Sequence, residues 1–252
     1  MASAPRFAFR FVLRNLARVE PWGEDPDRSL SWFGLTDGAY CIETPAGRLL
    51  EYRDAPDPDL GVSWCTYAVA RLWEDLRELA PRVAEPVPAD IVPRFLALLE
   101  RGGTEEPPDD DTLYEAWLDA LTWWGDRQLD IGYLRDAPRV HLWRVGDMMH
   151  LRWRAREADA ASCPYSVWHA DAEVPADAFD RALADFNDAF LAEMRARCEA
   201  LLRDGWQGAP CDIDPEEILK EQEQREAEAT TRFTPRPTDW DGVREALDIM
   251  GA

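Results

Sequence analysis

One apolar stripe constrains this chain more than any other feature. Phe179, Leu183, Phe186, Phe190, Met194, Cys198 and Leu201 recur at helical spacing and predict one long amphipathic helix over residues 176–203. The opposite end of the chain carries a different period. Phe7, Phe9, Phe11 and Leu13 alternate with Arg10 and Arg14 in the gaps, which predicts a β-strand over residues 6–14 with a phenylalanine face. Residues 39–43 and 48–52 predict two further short strands, with Thr44-Pro45-Ala46-Gly47 as the turn between them, so the first fifth of the chain reads as an antiparallel meander.

Between these ends the two periods come in blocks. Cys65, Val69, Leu72, Leu76 and Leu79 predict a helix over residues 64–80, stopped by Pro81. Ile91, Phe95, Leu98 and Leu99 predict a second helix over 90–101, capped by Asp90 and ended by Gly102-Gly103. A third follows the acidic loop 105–111, capped by Asp111 or Thr112 and lined by Leu113, Trp117, Leu121 and Trp124. Residues 140–145 and 148–156 then alternate around Gly146-Asp147, which fits a hairpin turn with glycine first. Residues 165–169 predict another strand. Asp214-Pro215 opens a helix over 215–229 with a thin apolar face, Ile218 and Leu219, and so a solvent-exposed position. The expectation is an α+β fold: a meander and a hairpin packed against several helices, with a helical C-terminal third. Residues 1–229 form one domain. Residues 230–238 are a Thr/Pro-rich linker, and 240–250 form a short amphipathic helix.

Charge sets the class of partner. The net charge is −22 and the pI near 4.4, so phosphate backbones are repelled and nucleic acid is not an expected ligand. A basic protein would instead be steered in. Lys220 is the single lysine among 28 basic residues, a skew that suggests a GC-rich bacterial genome. The five cysteines are widely spaced with no CxxC pair, which fits reduced thiols in a cytoplasm and no zinc site. There is no secretion signal and no run of the ~20 apolar residues that a membrane span requires. Phosphate-loop, dinucleotide and nucleophile-elbow motifs are missing, which removes the common ways of recognising an enzyme without excluding one, and no cofactor or catalytic residue is assigned.

Four clusters remain as candidate sites. In residues 31–38, Asp37-Gly38 reads as a tight turn beside Trp32 and Phe33, giving either an aromatic platform with Asp37 as acceptor or a turn wedged into the core. Asp126 and Asp130 lie four apart and share a helix face if the helix continues past Gly125. They could do acid/base work, hold a hard cation, or be neutralised by Arg127. Pairing across Gly146-Asp147 sets Trp143 against His150 and His141 against Arg152 on one face, a candidate binding surface if exposed. Finally, residues 100–130 hold ten acidic side chains, Asp109, Asp110 and Asp111 among them, and only Arg101 and Arg127 as basic ones.

Several phrases carry a resemblance: Pro21-Trp22-Gly23, Leu30-Ser31-Trp32-Phe33-Gly34-Leu35-Thr36-Asp37-Gly38 and Val69-Ala70-Arg71-Leu72-Trp73-Glu74-Asp75. Leu129-Asp130-Ile131-Gly132-Tyr133-Leu134, Trp143-Arg144-Val145-Gly146-Asp147 and Asp204-Gly205-Trp206 add to it. The chain resembles an uncharacterised bacterial family of unknown function, to about residue 228. Ala39 stands where that family often has tryptophan. The resemblance implies one co-folded unit and no particular activity. The expected function is therefore an acidic, cytoplasmic, protein-binding protein, such as an immunity protein or antitoxin facing a basic toxin. The alternatives are a hydrolase or metal-dependent enzyme using Asp126, Asp130 or His150, and an accessory protein in phage defence.

Overall fold

The computed structural model describes residues 7–100, 108–156, 159–230, 234 and 237–251. Gly102-Gly103, Arg101, the acidic residues 105 and 106, and most of the 230–238 linker lie outside the described residues.

The chain is α+β, with two antiparallel sheets. In the first, β1 (Ala8–Leu13) pairs with β2 (Asp37–Thr44), Phe9 opposite Ile42 and Leu13 opposite Gly38. The other edge of β2 carries β3 (Gly47–Leu49) and β4 (Cys65–Ala68). The second sheet runs β5 (Arg139–Val145), β6 (Met148–Arg154), β7 (His169–Pro175). The helices are α1 (Val69–Val83), α2 (Ile91–Glu100), α3 (Asp111–Gly125), α4 (Ala176–Asp204), α5 (Pro215–Ala229) and α6 (Trp240–Ile249).

The long stripe of α4 finds its partners on both sheets. Phe7, Phe9 and Phe11 of the first sheet meet Phe179, Phe186 and Phe190 at ring separations of 5.6–6.0 Å. On the second sheet, Val140, Leu142, Met149, Leu151 and Trp153 join the same core. Burying such rings supplies most of the driving force for folding. The opposite face of the second sheet feeds a separate core. There Trp143 packs with Phe95 of α2, Trp123 and Trp124 of α3, and Val243, Ala246 and Leu247 of α6. The second sheet is therefore a wall shared by two cores.

The hairpin register is the one its alternation predicts: Val145 faces Met148, Trp143 faces His150 and His141 faces Arg152. Gly146 at the first turn position takes a φ of 56°, which costs glycine little.

Several expectations are corrected. Cys65 does not begin a helix. Residues 65–68 form β4, with Cys65 opposite Tyr40, and α1 starts at Val69. Pro81 does not stop α1, which runs on to Val83, a buried residue whose packing outweighs one lost backbone bond near the helix end. The cap of α3 is Asp110, whose carboxylate accepts from the Leu113 N–H, not Asp111 or Thr112. Residues 165–168 make no regular strand, and β7 begins at His169. Asp37-Gly38 opens β2 and is no turn. Gly38 is needed because the Val12 carbonyl of the neighbouring strand occupies the place of a Cβ. The helix α5 is not solvated all round, since Ile218 and Gln222 are buried against α4.

Candidate functional site

The structure sends the candidate residues to different fates. Trp32 is wholly buried. Its indole N–H donates to Gln222 Oε1 at 2.7 Å, and its ring packs on Trp73 and Phe190. It is a core residue and cannot be a binding platform. Asp37 is half-buried and held by Arg14 at 2.7 Å. Asp126 and Asp130 share no helix face, because α3 ends at Gly125. Asp126 pairs with Arg82 and Asp130 with Arg71, arginines eleven residues apart on α1, roughly 16 Å along its axis. Arg127 forms an ion pair with neither. It is buried, donates to Glu85 at 2.9 Å, and lies over the rings of Trp123 and Trp240. Among the described residues no group of three or more His, Cys, Asp or Glu is placed to hold a metal. Burial pushes the Cys41 and Cys65 thiols up to about 12, which removes their nucleophilicity near neutrality.

Two surfaces survive. The first is the outer face of α3. Ala116, Ala120, Trp123 and Trp124 point into the second core and Leu121 packs against it, which leaves residues 111, 112, 114, 115, 118, 119 and 122 exposed. Asp111, Glu115 and Asp119 rise along that face at i, i+4 intervals, all exposed, and Asp109 and Asp110 precede them. None of these five carboxylates has an ion pair among the described residues. Tyr114 and Leu118, each 41% exposed, sit between the acids. At the C-terminal end of α3 a recess of about 410 Å³ opens towards α6, lined by Asp119, Trp123, Asp126 and Asp239.

The second surface is a groove of about 370 Å³ beside β6. Trp143 and His150 line it, their rings parallel within 6° and 5.4 Å apart. His150 Nδ1 lies 3.3 Å from Glu173. The side of Trp143 away from the groove is covered by Trp124, so the tryptophan is buried while His150 is half-buried. Next to them His141 is closed off altogether. It stacks on Trp124 at 4.1 Å, and burial drops its imidazole to about 3, so it is neutral. Trp143 and His150 are thus brought together, but only the β6–β7 half of this sheet face is open.

One cluster escaped the sequence reading. Asp75 is buried on the inner side of α1 and accepts from the Tyr133 hydroxyl at 3.0 Å, and Tyr133 lies 3.2 Å from the Tyr40 hydroxyl. Arg71, one turn earlier on α1, bridges Asp75 and Asp130 and lies over the Tyr133 ring. Two of the quoted phrases, at 69–75 and 129–134, therefore meet at one place. Burial raises the Asp75 carboxyl to about 7, against the opposing pull of Tyr133 and Arg71. A carboxyl raised in the folded state binds its proton more tightly there than in the unfolded chain. Its stabilising contribution is complete below pH 4 and is lost as pH rises towards 7. Asp75→Asn keeps an acceptor for Tyr133 and removes the titration. Compared with the wild type, it is expected to gain up to about 4 kcal/mol between pH 4 and 8, read as the difference in urea midpoints. Parallel pH profiles for the two proteins would refute this.

Residues 8–246 match the family of unknown function DUF5984, and the chain belongs to that family. No curated protein and no solved structure matches it. No described helix is long and apolar enough to cross a membrane.

Proposed function

We propose that this protein binds a basic protein partner through the outer face of α3. The supporting observation is the ladder Asp111, Glu115, Asp119, which carries no counter-cation among the described residues, in a chain with 28 basic side chains. Like charges one turn apart cost an isolated helix roughly 0.2–0.5 kcal/mol per pair. A cationic partner would turn that cost into attraction. Tyr114 and Leu118 supply the apolar centre such an interface needs, with the carboxylates as its polar rim. Asp119, which has no ion pair among the described residues, borders the recess at the end of α3 and suits an arginine or lysine head. The acidic field accelerates encounter with a cation and repels nucleic acid. An immunity protein or antitoxin that holds a basic toxin is the case this chemistry fits. Four of the five cysteines are buried, which suits thiols working in a reducing cytoplasm.

The test is capture from the native host on immobilised wild type, with Glu115→Lys/Asp119→Lys as the matched bait. Asp110 is left intact because it caps the helix. A basic protein should be held by the wild type and lost from the variant. Its association rate should fall at least tenfold at low salt, with a flatter salt dependence. Equal capture by both baits would discard the α3 face.

A further inference from the structure

In a chain with 50 acidic and 28 basic residues, an arginine can usually find a carboxylate. Arg152 in the groove beside β6 does not. It is half-buried, yet it forms no ion pair among the described residues. Its cross-strand neighbours explain why. On one side stands His141, buried and neutral. On the other is Asp171, already taken by Arg154 through two hydrogen bonds of 2.8 and 3.1 Å. Burial and the nearby Arg154 charge both disfavour the Arg152 cation, while Asp171 and Glu100 act on it only at longer range. A guanidinium held partly out of water without a partner is costly.

The remaining walls define what could complete it. Val92, Pro93 and Leu96 of α2 form an apolar side opposite the strands. His150, backed by Trp143, presents a flat ring at the floor. Glu173 and Asp171 stand at the rim and are joined by the field of the whole molecule, so a dianion such as phosphate is repelled more strongly than a monoanion. A single carboxylate is planar and matches the guanidinium fork two-to-two. The volume, about 370 Å³, is at the small end of ligand pockets.

We infer that this groove is a binding site for a small aromatic monocarboxylate, its carboxylate on Arg152 and its ring against His150 and the α2 side chains. The site is separate from the α3 face and stands or falls independently of it. No covalent step is involved.

Isothermal titration with indole-3-acetate, its neutral isostere indole-3-acetamide, and inorganic phosphate tests the proposal. The acid should bind saturably in the micromolar to millimolar range, with the amide and phosphate at least tenfold weaker. Arg152→Met, which keeps the apolar stem, should weaken the acid at least tenfold and leave the amide unchanged. In the wild type, NMR of the His150 imidazole should show a shift on adding the acid, a measurement that does not depend on any variant folding. No saturable binding of the acid, equal binding of acid and amide, or an unmoved His150 signal would each overturn the assignment.

Discussion

Glu85→Ala is expected to destabilise the protein by about 3–5 kcal/mol, as removal of one partner from a buried ion pair does. The reason is the asymmetry of the pair. The Arg127 side chain is 2% exposed and Glu85 27%, so alanine at 85 strands a cation that cannot reach water. Glu85 also accepts from the Thr238 backbone N–H at 3.0 Å and from its hydroxyl at 2.6 Å. One carboxylate therefore ties the end of α1, the chain after α3 and the approach to α6. Arg127→Met should cost less, because a half-exposed Glu85 left alone is solvated and methionine refills the space between Trp123 and Trp240. Urea unfolding of the two variants gives the comparison. Hydrogen exchange at Val243 and Leu247 should rise first in Glu85→Ala. If Arg127→Met proved the more damaging, the account of the pair would be wrong.

Trp32→Ala should be of similar size, about 3–5 kcal/mol, the usual cost of emptying an aromatic core position. Trp32 contributes more than volume. It satisfies Gln222 Oε1, packs on Trp73 and Phe190, and lies under Arg225, which itself pairs with Glu74 at 2.6 Å. Trp32→Phe keeps most of the ring and leaves Gln222 without its donor, so a loss of about 1–3 kcal/mol is expected. Were Trp32 a surface platform, alanine would leave thermal unfolding unchanged and alter only binding. The opposite outcome is expected here, read by the midpoint shift and by loss of near-ultraviolet signal.

What the sequence revealed, and what it hid, follows from how loudly each residue type speaks. Asp214-Pro215 and the stripe beginning at Phe179 announced α5 and α4 almost to the residue, because capping chemistry and large apolar side chains leave strong local signals. The hairpin was equally legible, since Gly146 fixes the turn and the turn fixes the register. Strand β4 was hidden because Cys65 lies four before Val69 and extends a helical spacing backwards. Only its pairing with Tyr40, far away in sequence, makes it a strand. Strand β7 was hidden because Ala170 and Ala172 are too small to register an alternation. Gln222 reads as one more polar residue on a polar helix, and its burial depends on the indole of Trp32.

The same holds for sites. Trp143 and His150 could be brought together from the turn alone, whereas the acids at 126 and 130 could not be separated without knowing that α3 stops at Gly125. Arg71 and Asp75 are visible as an i, i+4 pair, but Tyr133 reaches them only through the fold.

The shared wall has a consequence during synthesis. Strand β1 and the long helix that covers it are both complete before residue 205 emerges, so that part of the first core can form early, and Ile218 and Gln222 of α5 close it soon afterwards. The second core waits for its last layer, because α3 ends at Gly125 and α6 begins at Trp240. At roughly 5–20 residues per second a ribosome needs on the order of ten seconds to cover that interval. For that time the indole of Trp123 and its neighbours lack the cover of α6, and a nascent chain arrested in between would present a greasy patch of the kind holdase chaperones recognise.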